Sequence, residues 1–198
     1  MVYPLSNKND GFMLIELLIS MAIFSVIIGA IFSFSIAQRK YFSVQEQISE
    51  MIQNARAAMD MIAGELAVAG YNPTGAVGLT GIPYNASQLR IYADTVTPSD
   101  GKTIGSNEDI VYSYDSGNKR IVRNTGSGDQ PLAENVQNFS FDYFDDQGDP
   151  TTDTPKIRQI RLTMTVRTSK PDPQYPANSG YRTYTLISLV TPRNLAYR

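Results

Sequence analysis

The sequence predicts an α+β fold in which one long N-terminal helix packs on an antiparallel β-sheet domain. Helical periodicity extends without a break from the start of an apolar run at residue 12 to residue 69. Beyond residue 87 the pattern changes to short runs of alternating apolar and polar residues, separated by turn residues. One helix followed by many such strands is typical of an α+β domain.

The first half of the helix is an apolar run at residues 12–37, FMLIELLISMAIFSVIIGAIFSFSIA. A helix of these 26 residues would be about 39 Å long, which exceeds the ~30 Å hydrocarbon core of a bilayer. The run is therefore predicted to be a transmembrane helix. Its single charge is Glu16, and a lone carboxylate in hydrocarbon marks a candidate functional site.

Two other interpretations of the run stay open at this point. A secretory signal peptide would be cut after Ala37, where residues 35–37 have the small-x-small form of a signal peptidase site. A plain signal anchor would stay uncut. Neither interpretation explains an acid inside the run, and the run is longer than the usual apolar region of a signal peptide.

The second half of the helix, residues 38–70, is predicted to be amphipathic. Off its apolar stripe lie Glu46, Glu50, Arg56, Asp60 and Glu65. Apolar residues recur at spacings of three and four, and they are Ile48, Met51, Ile52, Ala55, Met59, Ile62, Leu66 and Ala69. Gly70 suits the position after a helix end, and a proline three residues later prevents continuation, so the helix is expected to end at residue 69.

The rest of the chain, residues 71–198, is predicted to form the β-rich domain. Residues 71–87 are rich in Gly, Pro and Asn and should be an irregular connection. A hairpin turn is expected at residues 115–118, and the alternation at residues 160–167 predicts one buried and one solvated face. The candidate strands are residues 89–95, 110–114, 120–123, 138–144, 157–168 and 181–190.

The composition limits the kinds of catalysis, metal binding and partners that the chain can support. The chain contains no Cys, His or Trp, which removes Ser-His-Asp and Cys-His catalysis and the usual zinc ligands. No Gly-rich phosphate loop and no spaced carboxylate pair stands out, so we expect neither enzymatic activity nor a cofactor. A net charge of −2 without interleaved basic and aromatic residues predicts no nucleic-acid partner.

An acidic cluster around Gly148 is the one candidate metal site in the sequence. Carboxylates at close spacing about a glycine turn could hold Ca²⁺ through oxygen ligands, but the spacing is not that of an EF-hand loop. A solvated turn between two strands is the preferred interpretation, and no metal site is predicted. The members of the cluster are Asp142, Asp145, Asp146, Asp149 and Asp153.

A short motif at the start of the apolar run resembles the N-terminal motif of type IV prepilins, whose usual form is G-F-T-L-I-E-L-L. The matching residues are Gly11-Phe12-Met13-Leu14-Ile15-Glu16-Leu17-Leu18, with Met in place of the common Thr. The resemblance implies that a prepilin peptidase cuts after Gly11 and that the new N-terminus, Phe12, is N-methylated. It also identifies Glu16 as the invariant acid of the family.

Elementary electrostatics gives the acid a role in assembly. Cleavage creates a cationic amine at Phe12, and Glu16 lies one helical turn away. When helices stack with an axial offset, Glu16 of one subunit is expected to pair with the Phe12 amine of another. Two buried unpaired charges would be penalised heavily, so the pair would set the register of packing.

The resemblance implies a type IV pilin-like fold with four parts: a leader peptide at residues 1–11, the transmembrane and assembly helix 12–37, its amphipathic continuation 38–70 and the globular domain 71–198. Residues 110–144, 157–168 and 191–195 are similar to those of PilW-type minor pilins and of J-type minor pseudopilins of type II secretion. The first family implies a minor pilin that acts in priming or at the tip of a type IV pilus. A minor pseudopilin and a membrane-anchored periplasmic binding module are the alternatives.

The implied partners are other pilin or pseudopilin subunits, the prepilin peptidase and an inner-membrane assembly platform. The implied location is the bacterial inner membrane for the single-pass precursor, and then the pilus, periplasm or cell surface. Twitching motility and cell adhesion are the processes that the resemblance suggests.

Overall fold

The computed structural model describes residues 13–195 of the chain. The chain divides into two compact units, Met1–Gln45 and Glu46–Arg198, and the single α-helix of the described residues contributes to both. The elements are α1 (Leu14–Val68), β1 (Gln88–Tyr92), β2 (Asp109–Asp115), β3 (Arg120–Asn124), β4 (Asp129–Ala133), β5 (Val136–Phe144), β6 (Gln159–Arg167) and β7 (Thr183–Val190). Short 3₁₀ helices lie at Thr154–Lys156 and Asn178–Gly180.

The predicted antiparallel sheet is present as two sheets. One has four strands in the order β1-β2-β3-β4, and the other has three in the order β5-β6-β7. All pairs are antiparallel between strands adjacent in sequence, as short connections favour. The α+β prediction is therefore confirmed.

Strand β4 (Asp129–Ala133) is absent from the sequence-based prediction. Its sequence, DQPLA, contains an acid and a proline, both of which are rare in central strands. The strand is tolerated because it lies at the edge of the four-stranded sheet, where Pro131 opposes Val122 next to an irregularity in the register. An edge position demands hydrogen bonds on one side only.

One apolar core fills the second unit, and the stripe on α1 is confirmed as its helical side. Ile62 and Leu66 are completely buried, and Met51, Ala55 and Met59 are nearly so. The core side of β6 consists of the predicted alternate residues Ile160, Leu162, Met164 and Val166, which are all buried. Burial of each such side chain contributes about 1.5–3 kcal/mol, so the stripe holds the helix on the sheets.

The helix ends close to the predicted position, and two segments distant in sequence close it. Gly70 has a φ of 75°, but its N–H donates to the carbonyl of Tyr92 at 2.8 Å rather than to the helix. From the C-terminal segment, the N–H of Arg193 donates to the carbonyl of Ala67 at 3.2 Å, and Asn194 Nδ2 to that of Val68 at 3.2 Å. The final carbonyls of α1, which lack partners within a helix, are satisfied in this way.

The predicted hairpin turn between β2 and β3 is confirmed. The carboxylate of Asp115 accepts the backbone N–H of Asn118 at 3.0 Å and the side chain of Asn118 at 2.7 Å. Arg120 Nε donates to the same carboxylate at 3.0 Å. These bonds, led by those from Asn118, lower the pKa of Asp115, since each favours the charged form.

Candidate assembly site

The carboxylate of Glu16 lies at the N-terminus of α1. Helix α1 begins at Leu14, so Met13 is the N-cap residue and Glu16 is the third helical residue. The side chain turns back, and the N–H of Met13 donates to Glu16 Oε2 at 3.3 Å. An acid at this position satisfies a backbone donor that the helix leaves free, and it interacts favourably with the helix dipole.

The two residues of the predicted cleavage site, Gly11 and Phe12, lie outside the described residues. Of the predicted charge pair, only Glu16 is therefore placed. Among residues 13–195, the one hydrogen bond to its carboxylate comes from Met13 and is long at 3.3 Å, and a carboxylate has room for about four donors. Glu16 can thus accept further donors at the helix end.

Around and after Glu16, α1 exposes a continuous apolar surface. Within residues 14–37, the exposed fraction of the large apolar side chains ranges from 37% at Ile28 to 76% at Leu14. By length and composition α1 qualifies as a membrane-spanning helix, the only such helix among residues 13–195. An apolar surface of this extent marks a membrane or protein contact.

Two of the four serine hydroxyls within the apolar run bond to the helix itself. Ser20 Oγ donates to the carbonyl of Glu16 at 2.7 Å, and Ser25 Oγ donates to that of Ala22 at 2.8 Å. Serine hydroxyls satisfied in this way can enter an apolar environment at low cost. Glu16 is then the one charged group of residues 13–37 that an apolar environment would penalise.

In the second unit, Glu65 connects α1 to the four-stranded sheet. Arg123 of β3 donates to its carboxylate, with Nη2 at 2.7 Å and Nε at 3.1 Å from Oε1. The hydroxyl of Tyr112, from the fully buried side chain on β2, also donates to Glu65. Arg123 Nη2 reaches Asn107 Oδ1 at 3.1 Å as well.

This cluster was missed by the sequence analysis, which identified Glu65 only as a residue off the apolar stripe. Glu65 is half-buried, and its side chain is 21% exposed. One feature of the sequence could have indicated that Glu65 is partly buried. It lies three residues after Ile62 and one before Leu66, at the border of the apolar stripe. Its partners could not be inferred, because β2 and β3 are about fifty residues away in sequence.

The cluster shifts two pKa values. Burial, and then the bond to Glu65, raise the pKa of the Tyr112 phenol, since both disfavour the phenolate. The pKa of Arg123 is raised as well, mainly by its hydrogen bonds to Glu65. Tyr112 is therefore held neutral and Arg123 charged.

The acidic residues around Gly148 do not converge on one point in the described part of the chain. Asp142 pairs with Arg161 at 3.0 Å, and Asp153 lies 3.5 Å from Lys156 Nζ. Asp145 Oδ1 accepts the backbone N–H groups of Gln147 at 3.0 Å and Asp149 at 2.9 Å. Within residues 13–195 no group of three or more acidic side chains is arranged to hold a metal ion.

Comparison with known proteins finds a matching family model and solved structures of similar fold. Residues 6–32 match the family model described as the prokaryotic N-terminal methylation motif. The fold is similar to that of the type IV-like pilin TTHA1219 from Thermus thermophilus, with a TM-score of 0.51 and 15% sequence identity, over 73% of this chain and 98% of that chain. A sequence search among curated proteins found no significant match.

The architecture is thus a long N-terminal helix with an acid in its first turn, followed by a β-rich domain. The chain therefore carries a prokaryotic N-terminal methylation motif and has a fold similar to that of a type IV-like pilin. Proteins of the type IV pilin family are structural subunits and not enzymes.

Proposed function

We propose that this protein is a minor subunit of a type IV pilus. It is made as an inner-membrane precursor, cut after Gly11 by a prepilin peptidase and N-methylated at Phe12. An inner-membrane assembly platform then transfers it into the filament, where α1 packs among the helices of other pilin subunits. The observation that carries the proposal is an exposed apolar helix surface with one carboxylate in its first turn.

The free energies of helix transfer and of charge pairing favour a role for Glu16 in assembly. Lipid and a bundle of apolar helices have similar polarity, so the transfer of α1 between them changes little hydrophobic free energy. Removal of one partner from a buried ion pair costs about 3–5 kcal/mol, because it leaves an uncompensated charge. The Glu16 carboxylate and a neighbour's Phe12 amine would therefore decide which stacking of helices is stable.

Two further surfaces support contacts with other subunits. The irregular connection at residues 71–87 exposes Tyr71, Val77 and Tyr84, and the corresponding stretch in pilin-like proteins is used in subunit contacts. The domain that follows α1 presents a second surface through which other subunits can make contact. A minor pilin in a priming or tip complex needs specific neighbours, and these surfaces can recognise them.

The test of the proposal replaces Glu16 in the full-length chain. Glu16→Gln keeps the size of the side chain and its ability to accept the Met13 N–H, and it removes only the charge. Glu16→Ala removes both. We expect both variants to insert in the membrane normally and to reach sheared filaments at least about tenfold less than the wild-type chain, since each leaves a buried amine unpaired.

The matched control is Ser20→Ala, which alters a polar group one turn away without changing charge, and which should assemble normally. If Glu16→Gln assembles like the wild type and only Glu16→Ala fails, the carboxylate caps the helix and does not pair with an amine. Co-purification with components of a secretion system instead of a pilus would contradict the assignment to a pilus.

A further inference from the structure

Four consecutive residues of α1, just after the apolar run, combine positive charge with aromatic rings. They are Arg39, Lys40, Tyr41 and Phe42, and all four side chains are exposed. Tyr41 and Phe42 are each 64% exposed, and their rings meet edge to face with their centroids 6.5 Å apart. We call these four residues the collar of α1.

The collar surrounds the helix instead of lying on one face. Successive residues of an α-helix are about 100° apart, so four in a row point to all sides of α1. They rise about 6 Å along the axis, which is close to the depth of about 5–8 Å of each polar interface of a bilayer. A partner protein contacts a helix from one side, whereas a bilayer interface encloses a spanning helix at one level. The shape of the collar therefore fits a lipid interface.

The charge of the collar fits lipid headgroups as well. Arg39 and Lys40 are the only charged residues between Glu16 and Glu46. Among residues 13–195, neither of these two cations forms a salt bridge. Long basic side chains next to a membrane-spanning segment extend their charged ends to the headgroup level, where they attract anionic lipids. Tyrosine is enriched at the same level.

The distance from the collar to Glu16 matches the thickness of a bilayer. The 23 residues from Glu16 to Arg39 rise about 34 Å in a helix, compared with a hydrocarbon core of ~30 Å. When the collar lies at one interface, the Glu16 carboxylate therefore lies at the opposite interface. Headgroups and water solvate a carboxylate at that level, so the collar also decides the surroundings of Glu16.

We propose that the collar binds the headgroups of anionic phospholipids and thereby sets the depth of α1 in the membrane. The proposal rests on the membrane-inserted precursor of the proposed function, and not on its assembly into a filament. At this depth the apolar run fills the hydrocarbon core, and Glu16 stays solvated until α1 leaves the membrane. The precursor is then inserted without the cost of a carboxylate in hydrocarbon.

The first experiment measures depth with a single tryptophan, since the chain contains none of its own. Full-length Tyr41→Trp and Phe24→Trp chains are reconstituted in vesicles of phosphatidylcholine and phosphatidylglycerol, whose acyl chains carry bromine at a shallow or a deep carbon. The shallow bromine should quench the fluorescence of Tyr41→Trp at least about twofold more than the deep bromine, because the collar lies at the interface. The order should be reversed for Phe24→Trp, within the apolar run.

The two positions distinguish failure of this proposal from failure of the proposed function. Deep quenching at both positions would show that α1 is inserted but that the collar does not lie at the interface, which would overturn the proposal alone. Shallow quenching at both positions would show that α1 does not span the bilayer. That result would overturn the proposal and would also contradict the membrane-inserted precursor.

The second experiment identifies the headgroup. In the Tyr41→Trp chain, bromine is placed on phosphatidylglycerol alone or on phosphatidylcholine alone, with equal amounts of the two lipids. Quenching should show a preference for phosphatidylglycerol of at least about fivefold at low salt, since each cation near an anionic surface strengthens binding. Arg39→Gln combined with Lys40→Gln should remove this preference.

The matched control is Arg56→Gln combined with Lys170→Gln, which removes two exposed cations outside the collar. This control should keep the preference for phosphatidylglycerol. Equal quenching by the two brominated lipids in the Tyr41→Trp chain would overturn the proposal. A preference that survives Arg39→Gln with Lys40→Gln would overturn it as well, because the cations of the collar would then not be its cause.

Discussion

At the scale of residues, the carboxylate of Glu65 illustrates how a charged group is held inside the helix–sheet contact. It accepts hydrogen bonds from Arg123 and from the buried Tyr112. A half-buried carboxylate with these donors is well compensated, whereas either partner alone would leave it poorly satisfied. The cluster therefore fixes where α1 lies on β2 and β3.

The raised pKa of Tyr112 predicts a loss of stability in alkali. Because the fold holds this pKa above its ordinary value of 10.0, the unfolded chain releases the phenol proton first. The corresponding stability is fully present below about pH 10 and is lost as the pH rises above it. We expect the free energy of unfolding by urea, measured in detergent from pH 7 to 11, to fall over this range.

Tyr112→Phe tests the assignment of this pH dependence. The variant should be less stable by about 1–2 kcal/mol at pH 7, since it removes a hydrogen bond to a charged group. It should also lose less stability than the wild type between pH 10 and 11. Tyr71→Phe, at a residue that is 44% exposed, serves as the control. Parallel decline of Tyr112→Phe and wild type would show that another group is responsible.

At the scale of elements, the end of α1 depends on a close approach between the chain after the helix and the C-terminal segment. A Cβ atom at Gly70 would lie 2.8 Å from Cδ2 of Leu195, which is itself 5% exposed. Gly70 also has a positive φ, which costs other residues about 1–2 kcal/mol. Glycine is thus required here for two separate reasons.

A double-mutant cycle separates these reasons. Gly70→Ala should destabilise the protein by about 2–4 kcal/mol, the sum of backbone strain and overpacking. Leu195→Ala alone should cost about 2–5 kcal/mol through the cavity that it leaves. In the Leu195→Ala background, Gly70→Ala should cost only the ~1–2 kcal/mol of backbone strain. Strict additivity in urea unfolding would contradict the close contact.

At the scale of the whole molecule, the chain combines a helix with an exposed apolar surface and a domain with its own complete core. The first part exposes apolar side chains that lipid or other helices can cover, while the second buries its own apolar core. Such a division suits a subunit that begins in a membrane and ends in a filament. In the proposed function, removal of residues 1–11 is the step between the two states.

Processing of the precursor gives a direct prediction. The intact mass of membrane-extracted wild-type protein should correspond to a chain that begins at Phe12 and carries one methyl group. Gly11→Ala should retain the leader in most molecules. Gly29→Ala is the matched control, because a Cβ at Gly29 has nothing within 4 Å, and it should be processed normally. A mature chain that begins at residue 1 or at residue 38 would instead indicate an uncut anchor or a secreted form.

The sequence by itself determined the elements that depend on local patterns. The periodicity of 3.6 residues predicted α1 and its buried stripe, and the alternation of period two predicted six of the seven strands of the described residues. The motif at residues 11–18 predicted the prepilin class, which the family model and the fold support. These features are readable because each depends on neighbours within a few residues.

The tertiary structure alone decided the features that join distant residues. The Glu65 cluster, the closure of α1 by Asn194 and the splitting of the strands into two sheets all connect positions far apart in sequence. Strand β4 forms because an edge tolerates Pro131, and β7 is left open because no other described segment pairs with it. A sequence pattern specifies which faces are apolar, but packing in three dimensions decides what covers each of them.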